Sequence, residues 1–294
     1  MSDFFNYVLN GVLLGQLYAL LALGFVVIYR ASKVFNFAQG ELMLLGAFSM
    51  WTLILGLGLP AWLAIPAAFV VAAAYGFVIE RLFFARLVGE SVFAMVMVTI
   101  GLVILLRGLI VMIWGAADRP FPALLPEQPI IIGDFIITTS LLIGAIITVV
   151  LALSLSQFFD RSRLGLALTA VAEDPKTAIA LGISVGRAVT LAWILGACIA
   201  VFGAIVYLNG RSLTLVSAEI GLAALPVALF AGLESILGLL LAGAIVGVLQ
   251  SLTAAYVDTL VGGSASSIVP FLFMLLMLFV RPTGLFGWRS IERV

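Results

Sequence analysis

Four ionisable side chains stand in or beside long apolar stretches of this chain: Glu41, Arg107, Glu219 and Glu234. In hydrocarbon such groups are costly, so they must face protein or water. Their chemistry would be to line a route for an ion or a solute, with Arg107 alternatively snorkelling or pairing structurally. Catalysis fits poorly. The chain has no histidine and a single cysteine, Cys198, set within an apolar run, which excludes histidine chemistry, an intrachain disulfide and a cysteine metal cluster. No nucleophile and base pair stands out, so the chain does not read as an enzyme, and no cofactor is expected. There is no G-x-x-x-x-G-K-[ST] phosphate loop, so a process driven by ATP would need its ATPase on another chain.

The break between the first two apolar runs, Arg30 to Glu41, holds one candidate constellation. Asn36, Gln39, Gly40 and Glu41 open a helix that continues as Leu-Met-Leu-Leu-Gly. Unpaired N–H groups and the positive end of the dipole there stabilise a carboxylate, either the chain's own Glu41 or one on a solute. Transporters use discontinuous helices in this way, which makes Asn36, Gln39, Gly40, Glu41 and, from a second segment, Glu219 candidates for a translocation pathway. A plain helix cap is the alternative. Arg211 precedes Gly221 by the same ten residues that separate Arg30 from Gly40, and each glycine opens a small-residue helix with a glutamate beside it. The two segments start on opposite sides, the form an inverted repeat would take, with a chance match as the alternative.

The second constellation is the polar interval Asp160 to Arg187, where Arg161, Arg163, Glu173, Asp174, Lys176 and Arg187 gather. Asp174 and Pro175 form an N-cap and first-turn pair, and Gly182 stands where a left-handed C-cap would end the helix. A short helix near 175–181 is predicted. Its run Lys-Thr-Ala-Ile-Ala-Leu is too apolar for a solvated connector, so it should dock into a partner or lie on the membrane surface.

The elements that must position these groups follow from composition. Hydrophobic residues make up 64% of the 294, charged residues 10%, against roughly a quarter charged in soluble domains. The runs are continuous rather than alternating, so the expected fold is an all-α integral membrane protein of about eight or nine transmembrane helices, with one cytoplasmic helix and an inverted repeat as a possibility. Candidate spans are 7–29, 38–57, 61–79, 92–115, 136–158, 188–208, 219–233, 235–257 and 267–280. The seventh is marginal in length and holds Pro226, so it crosses or dips in and returns.

With the N-terminus outside, Arg30, Lys33, Arg81, Arg86, Arg161, Arg163, Lys176, Arg187, Arg281, Arg289 and Arg293 fall inside and only Arg119 and Arg211 outside, which supports N-out, C-in. The external interval Ala116 to Phe135, with Pro120, Pro122, Pro126 and Pro129, should be ordered and non-helical. No soluble domain fits, so residues 1–294 read as one membrane domain, in contact with lipid. The formal net charge of zero argues against a nucleic-acid partner. Gly243-Ala-Ile-Val-Gly247 is a small-xxx-small match whose meaning is close helix packing.

Several stretches together resemble the permease subunits of ABC importers for branched-chain and other hydrophobic amino acids. They are Asn10-Gly11 through Gly15-Gln16-Leu17-Tyr18-Ala19-Leu20 with Ala22-Leu23-Gly24; Asn36-Phe37-Ala38-Gln39-Gly40-Glu41-Leu42; Ala172-Glu173-Asp174-Pro175 with Ala180-Leu181-Gly182-Ile183; and Arg281-Pro282-Thr283-Gly284-Leu285-Phe286-Gly287. The resemblance covers nearly the whole chain. It implies a bacterial inner-membrane permease domain that pairs with a second homologous permease subunit, two cytoplasmic ATPase subunits and a periplasmic substrate-binding protein. Glu173, Asp174, Pro175, Lys176, Ala178, Leu181 and Gly182 would then form the coupling helix seated in the ATPase. Members of the wider family import urea, short amides or aromatic acids. The rival classes are a stand-alone secondary transporter or channel, with Glu41, Arg107, Glu219 and Glu234 lining an ion-coupled route, and a structural membrane subunit.

Overall fold

The structure is a computed structural model that describes residues 2–87, 90–281 and 283–287. Arg289, Arg293 and Pro282 of the C-terminal motif lie outside the described residues. Each apolar run is a helix: α1 (Ser2–Ser32), α2 (Gln39–Trp51, continuing as a π-helical turn at Thr52–Gly56), α3 (Ala61–Ile79, with a π-helical turn at Glu80–Phe84) and α4 (Val92–Trp114). After the proline-rich interval come α5 (Thr139–Arg161), α6 (Arg163–Glu173), α7 (Pro175–Ala180), α8 (Val185–Leu208) and α9 (Glu219–Ala231). The chain ends in α10 (Gly238–Leu252, with a π-helical turn at Thr253–Val257), α11 (Asp258–Val261) and α12 (Val269–Val280). Six helical stretches are long and apolar enough to cross a membrane: Asp3–Ser32, Ala61–Phe84, Val92–Trp114, Thr139–Arg161, Val185–Leu208 and Gly238–Val261. The protein is a multi-pass all-α membrane protein.

Helix α1 is apolar on all sides and accordingly sits at the centre, packed on α10, α8, α5 and α9. Its closest neighbour is α10, and glycines make that approach possible. A Cβ on Gly15 would overlap the Gly243 carbonyl, and one on Gly247 would overlap the carbonyl of Gly11. The small-xxx-small stretch therefore packs as expected, against a second one, Gly11 to Gly15.

Contacts between elements repeat in pairs. α1 packs on α10 as α8 packs on α3; α1 meets α9 as α8 meets α2; α2 meets α4 as α9 meets α12. Helices α3 and α10 both finish in a π-helical turn. The contacts of α1–α4 are thus repeated by those of α8–α12, and Gly40 and Gly221 of the spacing echo meet where the two halves touch.

The interval between α4 and α5 is ordered without helix. β1 (Arg119–Pro120) pairs with β4 (Ser212–Leu213), and β2 (Ile130–Ile132) forms a hairpin with β3 (Phe135–Ile137). The Asn209 side chain, at the end of α8, accepts from Leu124 N and Leu125 N at 2.7 Å each and donates to Leu125 O, which fastens the proline-rich stretch to the bundle.

One expectation needs correction. The interval 160–187 is not a turn with a single short helix but two helices, α6 and α7. Ser162 caps α6 by accepting from Gly165 N at 2.9 Å, and Gly165, Leu168 and Val171 are its buried face.

Candidate functional site

Helices α2 and α9 both begin inside the protein. Gln39, the first residue of α2, donates from Nε2 to the carbonyl of Gly196, halfway along α8, and its amide fills the notch left by Gly24 on α1. Residues 33–38 therefore run back into the bundle as non-helical chain before α2 starts. Such backbone at membrane depth is tolerated only when enclosed by protein, and Val34, Asn36 and Ala38 are buried. Asn36 supplies the missing hydrogen bonds: its Oδ1 accepts from Ala38 N at 3.1 Å and its Nδ2 donates to Gln39 Oε1 at 3.2 Å. On the other half, residues 214–218 close a capping box on Thr214 and Ser217 and lead into α9. The two helix starts touch. A Cβ on Gly40 would overlap the Ala218 carbonyl oxygen, and one on Gly221 would lie 2.5 Å from the Gly40 Cα.

Of the candidate pathway residues, Asn36, Gln39 and Gly40 are enclosed within the chain, where they seat α2, and Glu219 is exposed at the first turn of α9. Glu41 is 3% exposed and pairs with Arg107 of α4. Its Oε1 accepts from Arg107 Nε at 3.0 Å and from Nη2 at 2.6 Å, whereas Oε2 has no partner among the described residues. The carboxylate lies in the first turn of α2, where the helix dipole favours it. Sequence reasoning singled out both charges without joining them, because 66 residues separate them and only the crossing brings α2 onto α4.

At the end of the bundle that carries α6 and α7, Asp174 caps α7. Its Oδ1 accepts from Lys176 N at 2.9 Å and from Thr177 N at 3.2 Å, and its Oδ2 accepts from the Thr177 hydroxyl. The Thr177 hydroxyl and amide hold this carboxyl below its usual range. Pro175 occupies the first turn, and α7 closes in a Schellman motif: Gly182, at φ 81°, donates to Ile179 O and Ile183 N donates to Ala178 O. Ala178 is the buried residue of the helix, and Ile179 and Leu181 are 60% and 74% exposed.

Lys33 ties this end to the C-terminal ends of α1 and α9. It follows α1 in a left-handed conformation, φ 54°, and its Nζ donates to Glu173 of α6 at 3.2 Å and to Glu234, just past α9, at 2.5 Å. Burial draws the ammonium's pKa down, but the Glu234 and Glu173 carboxylates outweigh it and leave it raised. Glu234 thus has its counter-ion at this end. Nearby, Arg30 reaches Asp160 at the end of α5 at 2.8 Å. The C-terminal motif folds against the same place: Leu285 N donates to Phe230 O and Phe286 N to Ala231 O.

Glu80 was not among the expected intramembrane charges, yet it is fully buried at the end of α3 and accepts from the Thr190 hydroxyl at 2.6 Å. Its neighbour Arg81 makes the stretch read as a polar loop, and the signal that could have found it is the unbroken apolar run up to Ile79.

The sequence profile of the family described as "Branched-chain amino acid transport system / permease component" matches residues 7–280. Among curated proteins, the high-affinity branched-chain amino acid transport system permease protein LivH of Salmonella typhimurium is 32% identical, over 100% of both chains. LivH of Escherichia coli K12 is similar to the same degree and over the same extent. The corresponding BraD of Pseudomonas aeruginosa is 30% identical, again over 100% of both chains.

Proposed function

The chain belongs to the branched-chain amino acid transport system permease family, and from that premise we propose that it is the membrane subunit of an ATP-driven importer for branched-chain or other hydrophobic amino acids. In this reading it lies in a bacterial inner membrane with its N-terminus outside and α6 and α7 in the cytoplasm. A second homologous permease completes the passage, a periplasmic binding protein delivers the amino acid, and two ATPase subunits supply the energy.

One observation carries the proposal. Helix α7 is capped at both ends yet leaves Ile179 and Leu181 bare, and Lys33 ties the adjoining Glu173 to the ends of α1 and α9. Capping fixes a helix that has little of its own chain to rest on, and exposed apolar side chains on it suit a groove in a partner. ATPase closure would displace α6 and α7, and the Lys33 pairs would pass that displacement to the helices whose starts cross at Gly40 and Gly221, alternating access between the two sides.

The test is purification of the chain from its native membrane, identification of the co-purifying proteins, and reconstitution into liposomes. Recovery of a phosphate-loop ATPase and a second permease, with uptake of a branched-chain amino acid that needs ATP and the binding protein, is the expected result. Solute movement by the chain alone without ATP would replace this reading by a secondary transporter.

A further inference from the structure

We propose that Arg107, held by Glu41, is a binding station for the α-carboxylate of a zwitterionic solute within the membrane; the proposal rests on the importer reading above and names a site for it. Arg107 is the sixteenth of 23 residues in α4, so it lies roughly 10 Å inside the Trp114 end. It does not snorkel to that end, because Nε and Nη2 are both turned inward onto Glu41. Its side chain is nevertheless 44% exposed, and Nη1 makes no hydrogen bond among the described residues. Around it on α4 are apolar groups, with Ile104 71% exposed, and the bare backbone of Gly108.

A guanidinium edge facing hydrocarbon is strongly disfavoured, so this face of α4 belongs against protein or a water-filled passage. The geometry points to what fits there. A guanidinium takes a carboxylate through parallel N–H donors, and the free edge of Arg107 leaves such donors available. The second oxygen of Glu41 has no partner among the described residues but is itself buried, so it balances the charge of Arg107 rather than touching the solute. The Arg107–Glu41 pair is itself neutral overall, so a zwitterion beside it adds no net charge to a site of low dielectric constant. A fixed lone cation would instead hold a carboxylate too tightly to release it. Ile104 and its exposed neighbours would receive an aliphatic side chain.

The test uses the chain assembled with its partner subunits in proteoliposomes. Replacing both charges together, Arg107→Met with Glu41→Met, leaves no unpaired charge, so the complex should still co-purify at the wild-type level. Uptake of leucine should fall at least ten-fold, and Arg107→Lys, a single-point donor, should lie between. Leucine uptake by the double variant at the wild-type rate would overturn the proposal and leave the pair as an internal prop.

Should the double variant fail to assemble, Ile104→Cys in a Cys198→Ala background, with Arg107 and Glu41 kept in place, gives a second reading. A water-soluble, charged methanethiosulfonate should modify the new thiol, and leucine should slow the reaction several-fold. No modification would mean that the position faces lipid, and modification insensitive to leucine would mean that no solute visits it; either refutes the station. A wild-type complex that imports nothing defeats the importer reading and this proposal together, whereas the variant results bear on Arg107 alone.

Discussion

The centre of the bundle and its α6–α7 end are built by opposite means. At the centre, α2 and α9 meet backbone to backbone because Gly40 and Gly221 carry no side chains, and Asn36 and Gln39 spend their hydrogen bonds on the chain itself. At the other end, α7 keeps one residue buried and turns Ile179 and Leu181 outward, and ion pairs with an exposed member join the packing of α6 in tying it to the bundle. The first region leaves no room for an added atom. The second tolerates change in its own fold and is specified by a surface outside it. A device that converts a partner's movement into a change at a central crossing needs this division: an inner contact that moves as a unit and an outer handle that is free to be gripped.

The largest expected effect lies at the centre. Gly40→Leu drives a branched side chain into the Ala218 carbonyl, where only backbone could yield. Overpacking of this kind costs about 3 kcal/mol or more, a large part of the stability of a typical domain. The yield of monodisperse protein in detergent should collapse, and a normal elution profile with an unchanged melting temperature would show that the crossing is looser than the contact implies.

The next effect tests the handle. Ile179→Asp with Leu181→Asp alters two exposed positions, so the melting temperature of the isolated chain should hold within a few degrees. Recovery of the ATPase with it should fall about ten-fold, because two charges would be desolvated in an apolar groove. Full recovery would place the ATPase contact elsewhere on the chain.

The sequence made these two regions legible to different depths, for physical reasons. Each expected apolar run corresponds to a helix, six of the stretches long and apolar enough to cross a membrane, because apolar helices are written in consecutive residues, and Asp174, Pro175 and Gly182 could be assigned because capping acts within four residues or so of its own helix. The crossing left only a spacing echo, since Gly40 and Gly221 meet through the whole topology. The Arg107–Glu41 pair was illegible for the same reason, and Lys33 gave no sign of bridging Glu173 and Glu234, because a left-handed lysine has no sequence signature. α6 was missed although its cap and amphipathic face are local, because the charges around it drew the reading toward a loop.

A smaller effect separates the link from both regions. Lys33→Gly deletes both ion pairs and also relieves the left-handed strain, since glycine adopts positive φ without a side-chain clash. Solvent-accessible pairs contribute about 0–1 kcal/mol each, and although Lys33–Glu234 is part-buried, both groups keep access to water, so stability should change little. ATP hydrolysed per amino acid imported should rise two- to three-fold if Lys33 transmits the movement. An unchanged ratio would assign transmission to the packing of α6 on α1 and α5 instead.

The smallest effect is at the cap. Asp174→Ala removes the acceptor for Lys176 N and Thr177 N, but Pro175 and the Schellman motif remain, so α7 should loosen rather than melt and uptake should fall about two-fold. The same carboxylate gives a control by pH. Its folded pKa is lowered from the ordinary aspartate range, so its stabilisation is fully present above that range and is lost only as pH falls through the lower, folded value. Wild-type coupling should therefore be the same at pH 7 and pH 5. A loss of coupling over that interval that persists in Asp174→Asn would come from another group, whereas one abolished by that substitution would contradict the cap geometry, because a hydroxyl and two amides directed at one carboxylate keep it ionised well below pH 5.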